Sequence, residues 1–227
     1  MKKALITKTL KTKLIIILLL CLSFAAYSKV AYLKKFTFNE DKALDKWRKV
    51  VLNGEVSYEL AKSGDEGYVQ AFSEKTCSAL YYRIGFRLRK YPFLRWKWRV
   101  LQFPDKSKVL TDEEKDDYAA RVYVVFPFLS FGSSKFLEYV WSEHIPAGTI
   151  IDSPFAKNVK IIVARSGGTP DSEWLIETRN VYQDYLKAFG GKPRKVGAIA
   201  IMCDADSTKT SAASSFDDIA IESEPDF

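Results

Sequence analysis

Histidine, cysteine and methionine are scarce in this sequence, which has one, three and two of them among 227 residues. Because His144 is the only histidine, a catalytic triad or a metal site built on histidines would have one such residue at most. Gly167 and Gly168 follow a predicted strand without the continuation of a phosphate-binding loop. These absences argue against histidine-based catalysis, histidine-ligated metals and nucleotide chemistry.

The first 28 residues differ in composition from the rest. Residues 1–13 contain five lysines and no acid, residues 14–26 are mostly apolar, and Ala26 and Ser28 are small, as a signal peptidase requires. We expect residues 1–28 to be a cleaved signal peptide and the mature protein to be periplasmic or secreted. A retained anchor is the alternative, although the apolar run is shorter than the roughly 20 residues of a membrane span. The prediction leaves no stable membrane span after cleavage.

The basic character belongs largely to that segment, because the formal charge of +7 falls to +2 without its five lysines. No basic stripe or nucleic-acid-binding module is evident in the remainder, so no nucleic-acid partner is expected. Residues 29–227 have the length of a single domain. Their two cysteines, Cys77 and Cys203, could pair in an oxidising compartment, but we expect free buried thiols.

Alternation of apolar and polar residues is the dominant pattern after residue 30. Strands are predicted at 36–38, 56–60, 68–72, 81–88, 95–100, 121–126, 136–141, 159–164, 174–178, 196–202 and 216–221. Short strands with turn signals between them predict an all-β fold, an antiparallel two-sheet jelly roll or β-sandwich. Helical spacing predicts short helices at 39–50 and 181–189, and residues 204–215 form a long polar connection.

The stretch DDYAARVYVVF at 116–126 has two carboxylates before an apolar run and an arginine inside it. As a strand it would present Tyr118, Val122 and Phe126 to the core, with Asp117, Arg121 and Tyr123 on the other face. That mixed face is either a solvated surface with salt bridges or a binding site. Aromatic rings beside carboxylates and arginines suit a sugar, whose ring stacks on an aromatic side chain while its hydroxyls bond to the charged groups.

Two other functions remain open. A polysaccharide hydrolase would need two carboxylates across the glycosidic bond, and Asp117, Glu138, Asp184 and Asp204 are candidates. Calcium could be bound by Asp204 and Asp206, with Asp217 or Asp218, but acids that cap their own turn are the favoured interpretation, so no metal and no cofactor are predicted.

Several motifs together carry a family resemblance. They are PFLRWKWRV (92–100), DDYAARVYVVF (116–126), LEYVW (137–141), TRNVYQDYLKAFG (178–190), IMCDADST (201–208) and FDDIAI (216–221). In this order they resemble the domain-of-unknown-function 3047 family of exported bacterial proteins. The resemblance implies no established activity. It marks as motif residues Asp116, Asp117, Arg121, Arg179, Asn180, Asp184, Asp204 and Asp206.

The motif charges could gather into one network in which Arg121 and Arg179 each hold a carboxylate through two bonds. Such a network either binds a ligand or only fixes how a helix and a loop pack on the sandwich. The predicted ligand-binding residues are Asp117, Arg121, Tyr123, Arg179, Asp184, Asp204 and Asp206. FDDIAI also resembles the closing strand of carbohydrate-binding jelly rolls, which is an analogy of fold. Non-catalytic binding of a polar ligand such as a glycan is therefore the first hypothesis. A structural envelope protein, with a cell-envelope partner, and the hydrolase follow it.

Overall fold

A computed structural model of the protein describes residues 30–224 apart from 109–110, 112–114, 131 and 169–172. The predicted signal peptide lies outside the described residues. The elements are β1 (Tyr32–Phe36), β2 (Trp47–Asn53), β3 (Ser57–Ser63), β4 (Glu66–Glu74), β5 (Cys77–Phe86), β6 (Phe93–Gln102), β7 (Arg121–Phe126), β8 (Lys135–Ser142), β9 (Ile150–Asp152), β10 (Val159–Ser166), β11 (Leu175–Asn180), α1 (Val181–Phe189), β12 (Val196–Asp204) and β13 (Ser211–Glu222). No helix among these described residues is long and apolar enough to cross a membrane.

The strands form two sheets, as the alternation predicts. One sheet has the order β11-β6-β13-β4-β3, with β1 also paired to β13, and the other has the order β2-β5-β12-β7-β8-β10-β9. We refer to them as the six-stranded and the seven-stranded sheet. Between the strands given above, all pairings are antiparallel except that of β8 with β10, which is parallel. The β-sandwich prediction is confirmed, and the seven-stranded sheet is mixed.

The core lies between the two sheets and follows the predicted faces. In β6, Trp96 and Trp98 are fully buried while Lys97 between them lies on the outer face. In β7, Val122 and Val124 are buried in the same core. Burial of such large apolar side chains is the dominant stabilising contribution to a sandwich.

The helix prediction holds for one of its two segments. Helix α1 begins after Asn180, whose side chain accepts a hydrogen bond from the Gln183 amide at 3.0 Å. The helix predicted at 39–50 is wrong, because residues 41–46 form turns and β2 begins at Trp47. Asn39 caps no helix there; its side chain accepts a hydrogen bond from the Gly67 amide at 2.6 Å. Pairing of β2 with β5 has overridden a local helical pattern.

The polar connection predicted at 204–215 is shorter in the structure. Residues 205–210 form the turn, and β13 already begins at Ser211. Ser214 and Ser215 are fully buried in this strand, so their polarity misled the prediction. The short turn brings residues 206 and 207 close to the end of β12, where the candidate site lies.

Candidate functional site

An open cleft of about 870 Å³ lies on the face of the seven-stranded sheet that points away from the core. Its floor is formed by outward side chains of β5, β12, β7 and β8, and its walls by β2 and the segment that precedes β10. The charged or polar lining residues are Asn53, Arg83, Asp116, Arg121, Glu138, Ser153, Asp204, Asp206 and Ser207. Tyr81 and Tyr123 also line the cleft. We call this space the sheet cleft.

Arg121 is the centre of a buried charged cluster at one end of the sheet cleft. Its Nε and Nη2 donate to the two carboxylate oxygens of Asp204, at 2.8 and 2.6 Å. Its Nη1 contacts Glu138 and reaches Asp116 Oδ1 at 3.4 Å, and its Nη2 also donates to the backbone carbonyl of Asp116. We call Asp116, Arg121, Glu138 and Asp204 the Arg121 cluster. All four side chains are at least nine-tenths buried.

The chain enters this cluster through an irregular segment before β7. Residues 116–120 do not form part of the strand, and Asp117, Ala119 and Ala120 are all fully buried, so the predicted alternation fails there. Tyr118 donates its amide to Asp204 Oδ1 at 3.0 Å, and its ring lies 4.9 Å from the Arg121 guanidinium. The break in the strand turns Asp116, and not Asp117, toward Arg121.

Asp117 does not lie beside Arg121 on the outer face, as the alternation predicted. Its carboxylate accepts hydrogen bonds from the amides of Ser207 at 3.3 Å and Thr208 at 2.6 Å. Asp117 therefore fixes the turn between β12 and β13 and does not line the sheet cleft. This turn positions Asp206, which lines the cleft and accepts a hydrogen bond from the Asn53 side chain at 2.9 Å.

The predicted single network is two separate clusters in the structure. Arg179 binds Asp184 through two bonds, at 2.9 and 2.8 Å, and the Tyr139 hydroxyl donates to the same carboxylate at 3.0 Å. Tyr139 is fully buried in the core and pairs with Val122, whereas the Arg121 side chain leaves the opposite face of the sheet. Both bidentate pairs exist as expected, but the second attaches α1 to the sandwich and does not reach the sheet cleft.

The carboxyls of the Arg121 cluster are hard to ionise. Burial raises the pKa of Asp204 to about 7 and that of Asp116 to about 7, although Arg121 lowers both. Burial also raises the pKa of Glu138, against the effect of Arg121 and of a hydrogen bond from Tyr123. One guanidinium cannot balance three carboxylates, so the cluster carries excess negative charge when all are ionised. Near neutral pH it offers both protonated and ionised carboxyls.

The calcium hypothesis is not favoured by the donor set. Cys77, Asp204 and Asp206 place one potential ligand atom each within 4.8 Å of one another. Both Asp204 oxygens already accept from Arg121, and a thiol is a poor ligand for calcium, which takes six to eight oxygens. Asp218 lies on β13 in the other sheet, where Lys97 holds it at 2.9 Å.

Two residues of the Arg121 cluster were absent from the predicted ligand-binding set. Asp116 was marked by the family motifs, and Glu138 was considered only for hydrolysis. Glu138 lies opposite Tyr123 in the β7–β8 register. Arg121 and Glu138 each lie inside an otherwise apolar predicted strand. That pattern was the signal that could have predicted an ion pair between them.

Cys77 and Cys203 are free and buried, as predicted. They lie on neighbouring strands, yet Cys77 lines the sheet cleft while Cys203 belongs to the core. His144 lies outside the sheet cleft, beside a second and smaller cleft of about 510 Å³ that includes Lys106 and Glu143.

Comparison with known proteins decides the family. The family model described as "Protein of unknown function (DUF3047)" matches residues 45–220. The chain belongs to this family. The resemblance inferred from the motifs is thereby confirmed for most of the chain. The search of curated proteins found no match.

Solved structures with a similar fold share little sequence with this DUF3047 protein. The family 11 carbohydrate-binding module of cellulosomal cellulase Lic26A-Cel5E of Clostridium thermocellum is 10% identical, with 84% of this chain and 95% of that chain covered and a TM-score of 0.46. The family 30 module of a second cellulosomal cellulase of Clostridium thermocellum is 10% identical, with 86% and 100% covered and a TM-score of 0.45. The xyloglucanase domain of NopAA from Sinorhizobium fredii is 11% identical, with 78% and 92% covered and a TM-score of 0.43.

Proposed function

We propose that this protein binds a polyhydroxylated ligand, such as a glycan, in the sheet cleft without catalysing a reaction on it. The observation that carries the proposal is the Arg121 cluster at the floor of an open cleft. Three carboxyls there offer acceptors for hydroxyl hydrogens, and those that hold a proton also donate. Tyr81 and Tyr123 add aromatic rings to the same surface.

The negative charge of the Arg121 cluster disfavours an anionic ligand. Arg121 is the cation at this end of the cleft, and its guanidinium is already engaged by Asp204, Glu138 and Asp116. The other lining arginine, Arg83, lies at the opposite end, in register with Ala198. A phosphate or carboxylate would have to displace these partners and then face them. A neutral ligand with many hydroxyls meets no such repulsion.

Among the predicted ligand-binding residues, Arg121, Tyr123, Asp204 and Asp206 line the sheet cleft and are retained in this proposal. Asp117 supports the site through the turn at 205–210. Arg179 and Asp184 are assigned to the attachment of α1 and are not part of the proposed site.

The test is thermal unfolding of the purified protein with a panel of soluble glycans. A ligand at about 100 times its dissociation constant stabilises the folded state by about 2.7 kcal/mol, which shifts the melting temperature measurably. Asp116→Asn should lose this shift and still fold, because Arg121 also binds the backbone carbonyl of residue 116. The matched control Asp65→Asn changes an exposed aspartate in the β3–β4 turn and should keep the shift. A panel without any shift would overturn the proposal.

A polysaccharide hydrolase is the second candidate. Glu138 and Asp204 both line the sheet cleft and flank Arg121, and raised pKa values are typical of carboxyls that act as general acids. Release of reducing ends by the purified protein, abolished in Glu138→Gln, would support it. Binding without any release would leave the non-catalytic function in place.

We further propose that residues 1–28 are a signal peptide and that residues 29–227 act as one domain in the periplasm or outside the cell. Five lysines before an apolar run support this proposal. Intact mass of the protein recovered from the cell envelope or medium tests it. Retention of the first 28 residues would contradict it.

A further inference from the structure

The sheet cleft is polar at one end and apolar at the other. Along β7 its outward residues run from Arg121 through Tyr123 to Val125, and Pro127 follows. Antiparallel β12 matches this order, from Asp204 past Met202 and Ala200 to Ala198. At about 3.3 Å per residue, the part from residue 123 to residue 127 is roughly 13 Å long.

One wall of the apolar end is made of large apolar side chains. Phe155 is 62% exposed and lines the sheet cleft, and the register partners Phe136 and Val159 line it at the level of Val125. Leu52 and Val50, which are 65% and 43% exposed, line the cleft on β2 nearer the Arg121 cluster, at the level of Cys77 and Ala79. Exposed apolar groups that converge on one cleft indicate an apolar ligand or partner. A glycan without an apolar part would leave these groups in water.

Small residues on the floor keep this end open. Ala198 and Ala200 of β12 face the cleft, and Gly197 lies so close to the Pro127 ring that an added Cβ would come within 2.5 Å of it. Arg83 is the charged residue at this end, and its register partner is Ala198. The aliphatic part of an arginine can lie along an apolar ligand while its guanidinium stays in water.

We propose that the ligand of the sheet cleft is a single-chain amphiphile, with an uncharged polyhydroxyl head at the Arg121 cluster and an alkyl chain along the apolar walls. This inference rests on the proposed function, since it assigns the head group to the same carboxyls. It adds the alkyl chain, which would pack against the apolar walls and not against the charged Arg121 cluster.

The experiment measures binding of hexyl, octyl and decyl glucoside by calorimetry below their micelle concentrations. Free glucose serves as the head group alone, and octyl sulfate as the chain with an anionic head. Each added methylene should lower the dissociation constant about fourfold, as long as it still contacts the apolar wall. Free glucose should bind at least a hundredfold more weakly than octyl glucoside, and octyl sulfate should not bind.

Two substitutions separate the wall from general effects on folding. Phe155→Glu places a charge at the apolar end of the cleft and should weaken octyl glucoside at least tenfold. Ile150→Glu changes a residue of β9 that is 38% exposed and does not line the cleft, and should leave binding unchanged. Because both side chains are exposed, neither change should unfold the protein.

The outcomes distinguish this inference from the proposed function. If free sugars bind as tightly as alkyl glucosides, the inference that the ligand has an alkyl chain is overturned. Glycan binding then remains the proposed function. Equal binding of octyl sulfate and octyl glucoside overturns the role of the Arg121 cluster in both proposals. A dimer in light scattering that Phe155→Glu dissociates, without any amphiphile binding, would make a second copy the occupant and overturn the inference.

Discussion

At the scale of single residues, Arg121 illustrates how one charge organises the candidate site. It is 3% exposed and holds carboxylates from the segment before β7, from β8 and from β12. Its removal would leave Asp204 and Glu138 buried without their cation. Because this effect on folding is independent of any ligand, loss of binding in an Arg121 variant would not by itself identify a binding site.

Arg121→Ala should lower the free energy of unfolding by about 3–5 kcal/mol, which is the usual cost of removing one partner from a buried ion pair. Urea denaturation measures this change. Arg165→Ala is the matched control, because Arg165 also binds a carboxylate, that of Glu177, but its side chain is 36% exposed. A loss at Arg121 no larger than that at Arg165 would contradict the structural role of the cluster.

The pKa values of the cluster predict how stability depends on pH. The pKa of Asp116 and that of Asp204 are raised by burial to about 7, above the value of about 3.9 in an unfolded chain. The folded state then binds more protons than the unfolded state, so stability falls as pH rises from about 4 to about 7. Thermal unfolding across this range measures it.

Asp116→Asn should flatten this dependence, and Asp65→Asn, the exposed control, should leave it unchanged. Asp204 keeps its raised pKa in this variant, and burial raises the pKa of Asp217 to about 6, so some slope in the same direction will remain. A melting temperature that rises steadily between pH 4 and pH 7 would contradict the assignment.

At the scale of elements, the turn between β12 and β13 depends on a distant segment. Asp117 is fully buried and binds the amides of Ser207 and Thr208, some 90 residues further along the chain. This contact sets the position of Asp206 at the rim of the sheet cleft. The site is therefore supported by a residue that does not line it.

Asp117→Ala should lower the free energy of unfolding by about 1.5–3 kcal/mol, which is the range for hydrogen bonds to a charged group. It should also weaken ligand binding, because the turn is displaced. Asp117→Asn keeps one acceptor oxygen and should recover part of both losses. Equilibrium unfolding and the calorimetric titration above measure them. Unchanged stability in Asp117→Ala would show that the turn holds its position without this contact.

At the scale of the whole molecule, the two faces of the seven-stranded sheet separate the core from the sheet cleft. Cys203 and Cys77 lie on neighbouring strands of this sheet, but on its opposite faces. Burial raises the pKa of both thiols. Low exposure and a low thiolate fraction both make a thiol unreactive.

Neither thiol should react with iodoacetamide at pH 7 in the native protein, and both should react in urea without a reductant. Peptide mass spectrometry assigns the modified residues. Thiols that stay unmodified in urea would indicate a disulfide and contradict the structure.

Much of the fold was predictable from the sequence, and the reason lies in the period of a strand. Alternation in RWKWRV assigns Trp96 and Trp98 to the core wherever the strand pairs, because successive side chains point to opposite faces. The same rule assigned Arg121 and Tyr123 to the outer face. Alternation failed for residues 116–120, which leave the strand. Helical spacing failed for residues 39–50, where pairing of β2 with β5 overrides the local preference.

The sequence by itself determined that the protein is a β-sandwich, which side chains of most strands are buried, and that charged motif residues lie among them. Only the tertiary structure decided which charges meet. Asp204 and Glu138 reach Arg121 because β12 and β8 flank β7, while Arg179 and Asp184 lie across the sheet from it. Local patterns fix the face of a side chain, but strand order and register fix its neighbours, and these depend on the packing of the whole chain.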